Sequence, residues 1–171
     1  TEKLKDKWTW ATIAFLKLHD MGFDIVSVEV FDWMEFSKRG LSYLEEYWSK
    51  EVAKKQDEMT DINREVKYAK EFVYKIKIIK KIPNIEDMKK YLEKGYFIVC
   101  NVNSVVLNKG KGYAGHAIFV YKISENFVFF HDPGLPPKPN RRVSHKTFNR
   151  AWAYPNEQSK NFVALKYIGK N

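Results

Sequence analysis

Only one of the 171 residues is cysteine, Cys100. A chain with a single thiol has no intramolecular disulfide, so a disulfide-stapled scaffold and a Cys-rich zinc module are both excluded. Long hydrophobic runs are missing as well. No window approaches the roughly 20 apolar residues of a membrane span, and the Lys-rich opening TEKLKDKW is not followed by a signal-peptide core. A cytoplasmic protein is the default expectation, with no membrane partner. Internal repeats and low-complexity segments are also absent, and the Pro-rich GLPPKPNRR is too short to link domains. One domain spanning residues 1–171 is expected, long enough to bury a core without metals or disulfides.

Positive charge is present in quantity: 30 Lys and Arg stand against 21 Asp and Glu, a formal net charge of +9. Clustered cations would supply the salt-dependent phosphate term of nucleic-acid binding. Here the lysines of KYAKEFVYKIKIIKK and DMKKYLEKG are interleaved with Glu and Asp, as on solvated helix faces. Arg141 and Arg142 are the only basic pair on an expected loop. The pattern argues against nucleic acid as the main partner.

Along the chain, EKLKDKWTWATIAFLKLHDMG spaces Trp8, Ala11, Ile13, Ala14, Phe15 and Leu18 near helical period, with Gly22 as the stop. FDIVSVEVF alternates Val26, Val28 and Val30 against Ile25, Ser27 and Glu29, the pattern of a strand with one buried face. Asp32 to about Lys75 reads as two or three helices. Asp61 caps the last of them, and Glu65 lies near the place of a capping partner. IKIIKKI is strand-like, and Asn84 caps a helix that Gly95 closes. YFIVCNVNSVVL, HAIFVYKIS and NFVFFHD follow as strands, then a Pro-rich loop, a helix capped by Ser144, and a last strand NFVALKYI. Helices that lead and antiparallel strands that follow define an α+β class.

HAIFVYKIS and NFVFFHD are joined by a turn around Ser124, Glu125 and Asn126, too short for a crossover, so they form an antiparallel hairpin. Folding the hairpin about residue 124 sets position 120 opposite 128 and His116 opposite Asp132. Residues opposite each other share a face with Cβ atoms about 4.5 to 5.5 Å apart, within reach of a hydrogen bond. His131 then points to the other face. A carboxylate beside a histidine fixes its tautomer while the second ring nitrogen handles a proton, which makes His116 a candidate general base and Asp132 its orienter. The same pair also serves a purely structural role at the end of a sheet, and the spacing leaves both readings open. Gly110, Gly112 and Gly115 ahead of His116 allow a substrate or a second backbone to approach closely.

Other constellations say less. His116, His131, Asp132 and His145 lack the spacing of a dedicated metal site, so no metal is expected. PPKP reads as a rigid exit from Asp132 sooner than as a polyproline ligand. Trp8, Trp10, Trp33, Trp48 and Trp152 are core or groove-lining aromatics. Asn101 and Asn103 alternate onto one face of an otherwise apolar strand, where their amides either find buried partners or look into a cleft. Ser104, Thr9 and Thr12 have no base in view.

KGYFIVCNVNSVVL, YAGHAIFVYKISENFVFFHDPGLPPKPNRRVSHKTFNRAW and the closing strand resemble the C-terminal half of papain-like cysteine peptidases of the double-glycine leader (bacteriocin-processing) type. The likeness rests on Gly95 through Asn103, Gly115 with His116, Asp132 with Pro133, and the Ser144 to Trp152 helix, in that order. It covers about the last 80 residues. It implies a papain-like fold with N-terminal helices packed on a mainly antiparallel sheet, amide-bond hydrolysis through Cys, His116 and Asp132, a peptide or protein substrate, and no cofactor. Tyr113, Asn103 and Trp152 are the expected lining of a cleft beside His116.

In that family the catalytic Cys starts a helix N-terminal to everything quoted, with a Gln just before it. No Cys precedes residue 100 here and no Q-x-x-x-C-G segment occurs, so that helix would fall upstream of Thr1. The start at Thr1 without Met fits either Met removal or a product that begins within a longer gene. Cys100 sits inside the apolar run YFIVCNV, where a thiol is a small hydrophobe and no helix end acidifies it. The expectation is therefore a peptidase-like chain without its own nucleophile, or a catalytically silent peptide-binding module of the same fold.

Overall fold

The computed structural model describes residues 7–169. The first residues of the Lys-rich opening, counted above into the first helix, lie outside the described residues. The described chain is α+β, with helices α1 (Thr12–Asp20), α2 (Trp33–Arg39), α3 (Leu41–Tyr47), α4 (Lys50–Met59), α5 (Ile62–Lys75), α6 (Ile85–Glu93), α7 (Ser104–Leu107) and α8 (His145–Trp152). The strands are β1 (Phe23–Glu29), β2 (Lys77–Lys80), β3 (Phe97–Asn103), β4 (Gly115–Ile123), β5 (Phe127–Asp132), β6 (Lys138–Ser144) and β7 (Asn161–Tyr167), in one sheet of order β2-β1-β7-β3-β4-β5-β6. From β7 through β6 every pairing is antiparallel.

Helix starts follow side-chain capping. The Asp61 carboxylate accepts from Arg64 N at 3.0 Å, and Asn84 with Asp87 forms a reciprocal capping box at the start of α6. Ser144 accepts from Thr147 N at the start of α8. Glu65 is not a capping partner, because α5 begins at Ile62 and puts Arg64 at the third helical position. Glu65 turns inward instead and is fully buried. The first helix begins only at Thr12, after a stretch in which Trp8 N donates to Met59 O.

The chain divides into two compact units. The helical unit contains Phe31–Lys77 and the segment before Asp24. Its core is aromatic: Phe31, Phe36, Tyr43 and Leu44 are buried, and Trp10 and Trp33 pack edge-on or stacked against Phe31 and Phe36.

The sheet unit comprises Asp24–Val30 and Ile78–Tyr167. Alternation along its central strands sends Ile98, Cys100 and Val102 of β3, Ile118 and Val120 of β4, and Val128 and Phe130 of β5 to one face. There they bury apolar area with Met88 of α6, Val106 and Leu107 of α7, and Phe148, Ala151 and Trp152 of α8. Each large side chain withdrawn from water contributes about 1.5 to 3 kcal/mol. Strand β1, which lies between β2 and β7 in the sheet, departs from the expected alternation: Ile25, Val26, Ser27 and Val28 are all buried, so both of its faces are covered. The segment expected as a Pro-rich loop contributes a seventh strand, β6. It sits at the sheet's edge, where Pro139 costs no ladder hydrogen bond to a further strand.

Candidate active site

Strands β4 and β5 form the expected hairpin, closed by Ser124 N donating to Phe127 O at 2.9 Å. Its register differs from a simple fold about residue 124. Ile123 pairs with Val128 and Lys122 with Phe129, but beyond a bulge at Tyr121 the partners are Val120 with Phe130 and Phe119 with His131. Continuing that register, Asp132 aligns with Ile118, two residues along β4 from His116. The expected direct pairing of His116 with Asp132 is thus corrected to a diagonal one. A shift of two residues keeps the face, so the side chains still meet. The bulge is what makes this possible: the register nearest the turn, carried through unchanged, would put His116 and Asp132 on opposite faces.

His116 Nε2 lies 2.6 Å from Asp132 Oδ1. The same oxygen accepts from the backbone N–H of Gly134 at 3.1 Å, and Oδ2 pairs with Arg141 Nη1. Asp132 is buried, and burial alone would raise its pKa. The hydrogen bonds from His116, Gly134 and Arg141 outweigh that and hold the carboxyl below its ordinary value. A side chain at position 134 would bring its Cβ to 3.1 Å from Asp132 Oδ1, tighter than normal contact, so glycine there lets the backbone N–H close on the carboxylate. The His116 side chain is 24% exposed. Its Nδ1 has no hydrogen-bond partner among the described residues, so with Nε2–H donated to Asp132 the Nδ1 lone pair is available as a base.

The other expected site residues separate. Tyr113 is exposed and stacks on Tyr154, ring centroids 5.6 Å apart, beside the start of β4. Asn103 and Trp152 do not line an open cleft, because both are buried. The Trp152 ring packs in the core and its Nε1 donates to Asn161 O at 2.8 Å. Asn103 turns inward where β3 runs into α7. Its Oδ1 accepts from Val105 N and Ala114 N, both at 3.1 Å, and its Nδ2 donates to Gly112 O at 2.8 Å. Buried amides with full partners are structural, and Asn103 fixes the loop that delivers Gly115 and His116. Asn101 stays exposed and bonds Asn161. Gly110 meets the Val105 side chain and carbonyl, so the close approach it permits is internal to the loop.

Cys100 is buried in β3, and desolvation pushes its thiol far above the ordinary value. His131 points to the opposite face, stacked between Phe119 and Tyr121, and His145 bonds Ser124 O at the turn. No group of three or more His, Cys, Asp or Glu suited to a metal ion occurs among the described residues. Sequence reasoning missed Arg141, which it read as part of a loop. Its one available signal was the strand alternation of KPNRRVS, masked by Pro139.

No protein-family model matches the chain, and no curated protein matches it. No helix among the described residues is long and apolar enough to cross a membrane.

Proposed function

We propose that this chain is a papain-like cysteine-peptidase domain of the leader-peptidase-like kind, in which His116 is the general base and Asp132 its orienter. The observation that carries the reading is the 2.6 Å bond from His116 Nε2 to a buried, ionised carboxylate, with no hydrogen bond to Nδ1 among the described residues. In the reaction, His116 Nδ1 takes the thiol proton as a thiolate attacks the amide carbonyl and then gives it to the departing amine. Peptides or proteins are the substrates, and no cofactor enters.

Cys100, buried and of raised pKa, does not supply that thiolate, so in this reading these 171 residues carry the base and its orienter without the nucleophile. The second reading is a catalytically silent peptide-binding module, favoured by the burial of the one thiol these residues hold, Cys100.

The test is to treat the natural full-length product with a peptide carrying a thiol-directed electrophile. The expected result is a label on a cysteine preceding this segment, none on Cys100, and a drop of about a hundredfold or more in labelling rate for His116→Ala. Labelling indifferent to His116→Ala, or a full-length product with no such cysteine, transfers the conclusion to the binding module.

A further inference from the structure

His116 of β4, Gly134 and Arg141 of β6 converge on one carboxylate, that of Asp132. Arg141 of β6 gives Nη1 to Asp132 Oδ2 and Nη2 to Asn108 Oδ1 at 2.8 Å. Its guanidinium lies 5.2 Å from the centroid of the Phe130 ring, and the side chain is 18% exposed. Asn108 is itself held by donating Nδ2 to Ser104 O at 2.7 Å. A carboxylate with one oxygen bonded still turns about its last torsion, which is broad and two-fold. With Oδ2 taken by Arg141 and Oδ1 by Gly134 N and His116 Nε2, that torsion has one setting.

We propose, building on the reading of His116 as a base, that Arg141 is the site's positioning residue: it locks the Asp132 carboxylate so that Oδ1 faces His116 Nε2 and the base nitrogen is always Nδ1. Arg141 makes no hydrogen bond to His116 among the described residues and acts on it through Asp132. The planar guanidinium suits this because its two nitrogens bond two partners in fixed directions while its face rests on an aromatic ring. Lysine offers a point charge on a flexible stem and matches one of these contacts at most. Arg142, the next residue, faces the other side of β6 over Phe127 and takes no part. The basic pair noted in the sequence thus splits into one half-buried positioning residue and one surface cation.

The experiment uses the 171-residue chain with ¹⁵N-labelled histidine and follows the His116 Nε2–H proton, which a bond to a fixed carboxylate shifts downfield and protects from exchange. Arg141→Gln is expected to speed its exchange at least about tenfold, the counterpart of losing one charge-assisted bond's contribution. Arg141→Lys and Asn108→Ala should fall between, and Arg142→Gln should leave the signal unchanged. Should Arg141→Gln fail to fold, by its backbone amide spectrum, the two milder variants decide by the same ordering. A protected Nε2–H signal indifferent to Arg141→Gln, Arg141→Lys and Asn108→Ala overturns the proposal. Failure of the peptidase reading looks different: no labelled cysteine in the full-length product, with the Nε2–H signal still dependent on Arg141.

Discussion

Asp132 at the end of β5 and Glu65 in α5 are both carboxylates withdrawn from water, one in the sheet unit and one in the helical unit. Asp132 meets a backbone N–H, an imidazole and a guanidinium, and its pKa is lowered despite burial. Glu65 is fully buried, and neither oxygen has a hydrogen-bond partner among the described residues. Arg64 Nη2 stands 3.6 Å away, too far for a good hydrogen bond but close enough to attract. Burial dominates, the Arg64 charge offsets part of it, and the Glu65 pKa is pushed up to about 7. Depth alone therefore does not set a carboxylate's state. The donors aimed at it do, and donors converge where the chain has built a site.

The largest expected effect breaks the Asp132 side of this contrast. Asp132→Ala leaves Arg141 and His116 without their shared acceptor, and a loss of about 3 to 5 kcal/mol in unfolding free energy is expected. Urea unfolding followed by Trp152, the one tryptophan of the sheet unit, measures it. Because the folded pKa of Asp132 is depressed, the unfolded chain binds more protons near and below the ordinary value of 3.8. This contribution is present above that pH and is lost as pH falls through the lower folded value.

The second effect has the opposite sign. Folded Glu65 keeps its proton up to about pH 7, whereas the unfolded chain releases it near 4.5. Between those values the folded state binds more protons, so stability declines as pH rises and levels off above about 7. Glu65→Gln should remove that slope and gain up to about 3 kcal/mol at alkaline pH relative to the unsubstituted chain. Denaturant midpoints of both proteins across pH, read from the tryptophans of the helical unit, check it. A slope that survives in Glu65→Gln assigns the titration to another group.

Much of the fold was legible where a local rule decides. Asp61, Asn84 and Ser144 announced their helices through side-chain oxygens that accept from backbone N–H, and the short turn at Ser124 announced the hairpin. Tertiary context supplied the rest. No glycine or other special residue marks the bulge at Tyr121, so the register was misread by two residues, and the His116–Asp132 contact held only because two is an even number. Pro139 hid β6, and with it Arg141. Asn103 and Trp152 read as cleft residues because polar and aromatic types suit a cleft, yet their hydrogen bonds are satisfied inside.

The central claim is that Asp132 holds His116 by Nε2 and leaves Nδ1 as the base. Imidazole ¹⁵N shifts of the neutral His116 ring test it most directly. The expected result is a protonated, pyrrole-type Nε2 and an unprotonated, pyridine-type Nδ1, with that distinction weakened in Asp132→Ala. A ring protonated at Nδ1, or one whose shifts are indifferent to Asp132→Ala, would contradict it.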